Sequence, residues 1–229
     1  MKILDNHITE LYRFTREHFV VHYDVQTELV DHLANDIEQI WQAQPDLSFQ
    51  EAKTISFKKF GVFGFMDVVE QKQKAMNKRY WKILWRFIKE WFTLPKIITT
   101  SLIFMLFFTV LQSVYAKEIL FVSIFSLVLV DLYYMFKNRG KKKQKKEKIF
   151  LLESMIGETR NGFSALMLVY VCSIIDSLDV NFYTLSIYWI LSIAFFATLT
   201  CIIFYIIGFV IPQKAEELLL ETYPEYKIS

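Results

Sequence analysis

The sequence predicts an all-α protein with an N-terminal cytoplasmic helical bundle, an interfacial helix and four transmembrane helices. Three observations predict it. Hydrophobic residues make up 54% of the 229 positions and aromatic ones 17%, more apolar surface than a soluble chain of this length can bury. The composition changes at Pro95, with charged, helix-patterned sequence before it and long uncharged runs after it. Basic residues then collect on alternate sides of those runs.

Residues 1–76 read as a helical module. Asp5 or Asn6 caps a first helix running to about His22, with Ile8, Leu11, Tyr12, Phe14 and Phe19 as its apolar members. Asp24 caps a second, in which Val25, Leu29, Leu33, Ile37, Ile40 and Trp41 recur at helical spacing. "SFQE" from Ser48 to Glu51 is a capping box, in which each side chain meets the other residue's free backbone amide. That third helix runs to Phe60, and Gly61 stands where a left-handed cap is wanted.

A fourth helix extends from about Phe65 to Phe92. In its second half, residues 77–94, Trp81, Leu84, Trp85, Ile88 and Trp91 form one face and Lys78, Lys82, Arg86 and Lys89 the other. Tryptophan beside lysine and arginine is the pattern of a helix lying in a membrane interface.

Four apolar segments fill residues 95–211: Ile97–Ala116, Ile119–Phe136, Gly162–Leu178 and Leu185–Ile211. A hydrocarbon core of about 30 Å needs roughly 20 helical residues. The first and fourth meet that, the second nearly, and the third with help from its flanks. Lys117 and Glu118 alone separate the first two, which predicts a tight hairpin.

Lys72, Lys74, Lys78, Arg79, Lys82, Arg86, Lys89 and Lys96 precede the first span, while the first external loop holds only Lys117. The loop between spans two and three, residues 137–161, opens with Lys137, Arg139, Lys141, Lys142, Lys143, Lys145, Lys146 and Lys148. This asymmetry places both termini and that loop in the cytoplasm, with anionic inner-leaflet lipids as the expected partner of the lysines. No aromatic or base-reading motif accompanies them, so nucleic acid is not the expected partner. The tail, residues 212–229, is acidic: Glu216, Glu217, Glu221 and Glu225 oppose Lys214 and Lys227. It can act as an internal counter-charge that competes with lipid for the basic residues.

The stretch "YDVQTELVDHLANDIEQIWQAQPDLSFQEAKTISFKKFGVFGFMDVVEQ" resembles the HAAS-type helical module of bacterial membrane proteins. Asp31, His32 and Leu33, then Ser48, Glu51 and Ala52, then Phe60 and Gly61 carry the resemblance, over about residues 8–75. It implies a cytoplasmic signalling module, often partnered with PadR-like transcription regulators, and Asp31, His32, Phe60 and Gly61 as partner-binding residues.

Chemistry is sparsely represented. Neither a Gly-rich phosphate loop, a nucleophile elbow nor a metalloprotease helix occurs, and with 6 glycines there is little material for such loops. His18, His22, Glu28 and His32 have helical spacing but no metal signature, and Cys172 and Cys201 lie apart in apolar runs. No cofactor is expected. Asp131 is the one acid well inside a span, about 7–8 Å along the helix from its inner edge. The expected function is therefore non-enzymatic: a regulatory or scaffolding membrane protein whose module binds a cytoplasmic or membrane protein. The alternative is a small transporter or channel subunit, a homo-oligomer with Asp131 in its path.

The topology has a direct check. With Cys172 and Cys201 replaced by serine, Gln144→Cys should resist an impermeant thiol reagent applied to intact cells and react after lysis. Labelling from outside would reverse the orientation.

Overall fold

The computed structural model describes residues 2–144, 148–177 and 182–223. Side chains at 131, 134–135, 137–144, 168, 170–177 and 183 are not described. Asp131, Arg139, Lys141, Lys142, Lys143, Lys145 and Lys146 of the predicted site therefore lie outside the described side chains. The described residues form helices and connecting turns, with no strand among them, so the all-α class is established. The chain divides into two units, Met1–Arg79 with Lys145–Ser154, and Tyr80–Gln144 with Met155–Ser229.

The first unit contains α1 (Asp5–Glu17), α2 (Tyr23–Ala43), α3 (Phe49–Lys58) and the beginning of α4 (Met66–Trp91). Helix α1 stops earlier than its apolar pattern predicts. His18 closes it, and Phe19 takes the left-handed conformation at φ +64°, a costly geometry for a bulky side chain. The N-cap of α2 is His22 rather than Asp24. Ser48 and Glu51 do form the capping box, and Gly61 has φ +77° with open space where a Cβ would sit. There glycine is required by the backbone conformation and not by crowding.

Leu11, Leu29, Leu33, Ile37, Trp41 and Phe65 make the core of this unit. Trp41 satisfies its indole by donating to Leu47 O at 2.9 Å, which holds the α2–α3 loop against the bundle. Phe150, Leu151 and Leu152 are each buried as deeply. They belong to a strip that leaves the lysine run and enters α7 (Leu151–Ser177). Tyr23 N donates to Ile149 O at 2.8 Å, and Leu151 N donates to Asp24 Oδ1 at 3.0 Å. Asp24 thus serves the start of α7, where a carboxylate satisfies an orphan amide and favours the helix dipole. Lys148 Nζ stands 4.7 Å from the centre of the Tyr23 ring.

In the second unit, α5 (Lys96–Leu111) is shorter than the expected first span. The turn to α6 (Ala116–Gln144) occupies Gln112–Tyr115, and Lys117 and Glu118 fall in the first turn of α6, not in the hairpin. Ser113 Oγ accepts from Tyr115 N there, and an acid in the first turn suits the helix dipole. Backbone helix continues through the basic run to Gln144, as strong helix formers allow. Helix α8 (Ile187–Tyr205) packs on α5 through Leu111, Ile190 and Ala194, the small alanine permitting close approach. A one-turn π segment at Ile206–Val210 follows. Pro212 has no N–H for the Gly208 carbonyl, and widening the helix upstream accommodates that loss. Short helices α9 (Ile211–Gln213) and α10 (Ala215–Thr222) end the described chain.

Among the described residues one helix, Ile187–Gln213, is long and apolar enough to cross a membrane. Helices α4 and α5 pass the same test only as a pair, bent by 84° at their break.

Lys53 Nζ lies 2.7 Å from Glu10 Oε1 across α1 and α3. Its hydrogen bond holds the Glu10 carboxyl below the usual carboxylate range, against the desolvation that would raise it. A depressed folded pKa gives stability that is present above the unfolded value of about 4.3 and lost as pH falls through the folded one. Thermal melting of the first unit should therefore drop as pH falls below about 4, and Lys53→Met should flatten the Glu10 part of that drop.

Candidate membrane and partner surfaces

At about 100° per residue the second half of α4 divides into three sectors rather than two. Tyr80, Ile83, Leu84 and Phe87 are buried within the second unit. Leu84 thus leaves the face on which the sequence pattern put it, because a bundle covers the helix from that side. Trp81 and Trp85 stay 65% and 57% exposed, with half-buried Ile88 beside them and exposed Phe92 at the end. Lys78, Lys82, Arg86 and Lys89 form the adjoining exposed sector. Lys89 Nζ lies 5.9 Å from the Trp85 ring centre, so the aromatic and basic sectors meet edge to edge. The helix shows an uncovered indole pair flanked by ammonium groups, while its ordinary apolar stripe is already spent on packing.

Trp91 is used differently. Its indole donates to Thr100 Oγ1 at 3.1 Å and its ring lies 5.3 Å from that of Tyr205. It secures the α4–α5 break and is no longer part of the exposed face.

Arg86 meets Glu221 on α10 with two contacts of 3.1 and 3.3 Å. The hydrogen bonds that Arg86 donates to the Glu221 carboxylate raise the guanidinium above its ordinary value. Leu218 and Leu219 of α10 are buried, and Lys214 Nζ stands 5.4 Å from the Phe87 ring. The acidic tail therefore counters one basic residue of α4 through a docked helix.

In the first unit, Asp31 and His32 are exposed on α2. The His32 ring meets Phe60 edge-on at 5.6 Å. Phe60 continues into a cluster with Phe65 at 4.9 Å, and Phe65 into Phe57 at 4.9 Å. His18 joins it, 4.6 Å from Phe57, with Nδ1 2.8 Å from Phe14 O. Histidine packing of this kind leaves no ligand set, and no group of three metal-ligating side chains occurs among the described residues.

Sequence reasoning missed the most exposed apolar residues here. Val62 and Phe63, in the turn after Gly61, are 98% and 70% exposed, and Phe19 and Val21 are exposed as well. Phe19 follows His18 directly, and Val62 and Phe63 lie between Phe60 and Phe65, so three of the four are within two residues of the aromatic cluster. The signal was available in "FGVFGF": a turn held by two left-handed glycines, Gly61 and Gly64, must point the residues between them outward. No family model matches this chain, and neither a characterised protein nor a solved structure with significant similarity to it was found.

Because Trp81 and Trp85 are mostly exposed, replacing both by alanine should leave circular dichroism and melting nearly unchanged. Each such surface change typically costs within about 0.5 kcal/mol. Leu84→Ala on the buried sector should instead lower the melting temperature, by the equivalent of about 2–5 kcal/mol.

Proposed function

We propose that this chain is a non-enzymatic, four-span protein of the cytoplasmic membrane. Its N-terminal module binds a protein partner, and its second α4 half rests in the inner membrane interface. The observation that carries this reading is the amount of large apolar surface left uncovered on the second unit. Leu102, Met105, Leu106, Val122, Leu129, Val169, Trp189, Phe195 and Phe196 are all exposed, on four different helices. Water would penalise such a surface, whereas hydrocarbon accepts it. The 84° break between α4 and α5 is the second support. With α5 along the bilayer normal, α4 runs near the membrane plane, where exposed indoles and ammonium groups are best satisfied.

On this reading both termini and the loop from Lys137 face the cytoplasm, and the loop lysines meet anionic headgroups. The module, for which a HAAS-type domain is the proposed family form, offers Phe63 and Val62 with His32 and Phe60 to a partner. Two aromatic side chains with an apolar neighbour match the anchors that dominate protein interfaces.

Photo-crosslinking through a benzophenone amino acid at position 63, in cells expressing the full chain, tests the partner function. One protein captured in stoichiometric yield, and lost on Val62→Ser, is the expected outcome. Absence of any adduct, or only self-adducts, would remove the adaptor role. The membrane contact has its own test. In vesicles containing anionic lipid, Trp81 and Trp85 fluorescence should shift to the blue. Gln at Lys82 and Lys89 should weaken the salt dependence of that contact.

A further inference from the structure

A cavity of about 550 Å³ opens among α5, α6, α7 and α8, inside the second unit. Its lining is almost wholly aliphatic and aromatic, with Val128, Phe163 and Ala197 typical of it. Ser123 and Thr200 supply its side-chain oxygens, and Cys201 a thiol. Ser123 Oγ donates to Leu120 O at 2.8 Å, and Thr200 Oγ1 to Phe196 O at 2.9 Å. Each hydroxyl has thus given its one hydrogen to its own helix. Among the described residues, none that is charged lines the space. An ion or a sugar would need several convergent polar groups, which this lining lacks.

Size narrows the occupant further. A cavity of about 150 Å³ takes a benzene ring of six carbons. At the same density 550 Å³ takes about 20 carbons. On α6 the lining runs from Ile119 to Val128, about 14 Å along the helix axis. A second copy's helix of about 10 Å diameter would need roughly 1,100 Å³ over that length, twice the space present. A single flexible hydrocarbon chain fits both volume and length. The outward faces of the same helices are themselves uncovered and apolar, with Leu102 66% and Val169 64% exposed.

We infer that this cavity binds one acyl chain of a bilayer phospholipid. The inference rests on the membrane reading above for the source of the chain. Binding here would fill a void whose walls otherwise forfeit their dispersion contacts, so α6 and α7 would pack firmly only with lipid in place.

The full-length protein, stripped of lipid in detergent and incubated with dioleoylphosphatidylglycerol, is examined by native mass spectrometry. One phospholipid per chain should be retained. Ala197→Phe, which fills the cavity, should cut retention about tenfold, equivalent to 1.4 kcal/mol. Ala165→Phe, at an exposed position of α7, should not. Equal retention by Ala197→Phe, no retention by the wild type, or a lipid-free dimer would each overturn the proposal. Retention of added oleate but not of phospholipid would overturn the bilayer source. A readout independent of any large substitution uses Cys172→Ser protein, in which Cys201 is the remaining thiol. Phospholipid should slow its reaction with N-phenylmaleimide, and an unchanged rate would overturn the proposal. Alkaline carbonate extraction of cell membranes reads the membrane placement separately. Release of the chain into the soluble fraction would sink that placement without bearing on whether the detergent-borne cavity holds a chain.

Discussion

Phe150, Leu151 and Leu152 stand just past the lysine run, with Ile149 between them and Lys148. Their burial in the first unit is the constraint on which the rest depends. Each fully buried side chain of this size contributes about 1.5–3 kcal/mol. The carboxylate of Asp24 then fixes the position by accepting from the Leu151 amide. A loop that composition alone reads as solvated is thereby joined to the N-terminal module.

The consequence lies in connectivity. Helices α4 and α7 each begin within the first unit and end within the second. At the start of α2, Asp24 accepts from the first amide of α7, and Tyr23 donates to Ile149 O just before that helix.

Much of the fold could be read in the sequence, and the reasons are local. Ser48 with Glu51 and the left-handed Gly61 act over three or four residues, so pattern reasoning finds them. The apolar run of Ile187–Gln213 identifies itself by length. What was illegible joins residues far apart in the chain. Asp24 was read as a cap for its own helix but serves Leu151, and the acidic tail was read as a counter-charge without naming Arg86 as the residue that Glu221 meets. In α4 the helical wheel displays Leu84 and Trp85 as neighbours, but only the packed bundle decides that Leu84 is covered and Trp85 is not. The end of the first predicted span was misplaced because Lys117 and Glu118 look like turn residues. Their position in the first turn of a helix satisfies them equally well.

The most direct test of the docked strip is amide hydrogen exchange in the full-length protein. The amides of Leu151 and Leu152 should exchange slowly, as those in the middle of α2 do. Asp24→Ala should accelerate Leu151 while leaving Leu33 protected. Exchange of residues 149–152 in the unfolded-chain regime, unchanged by Asp24→Ala, would contradict the attachment of the loop to the module.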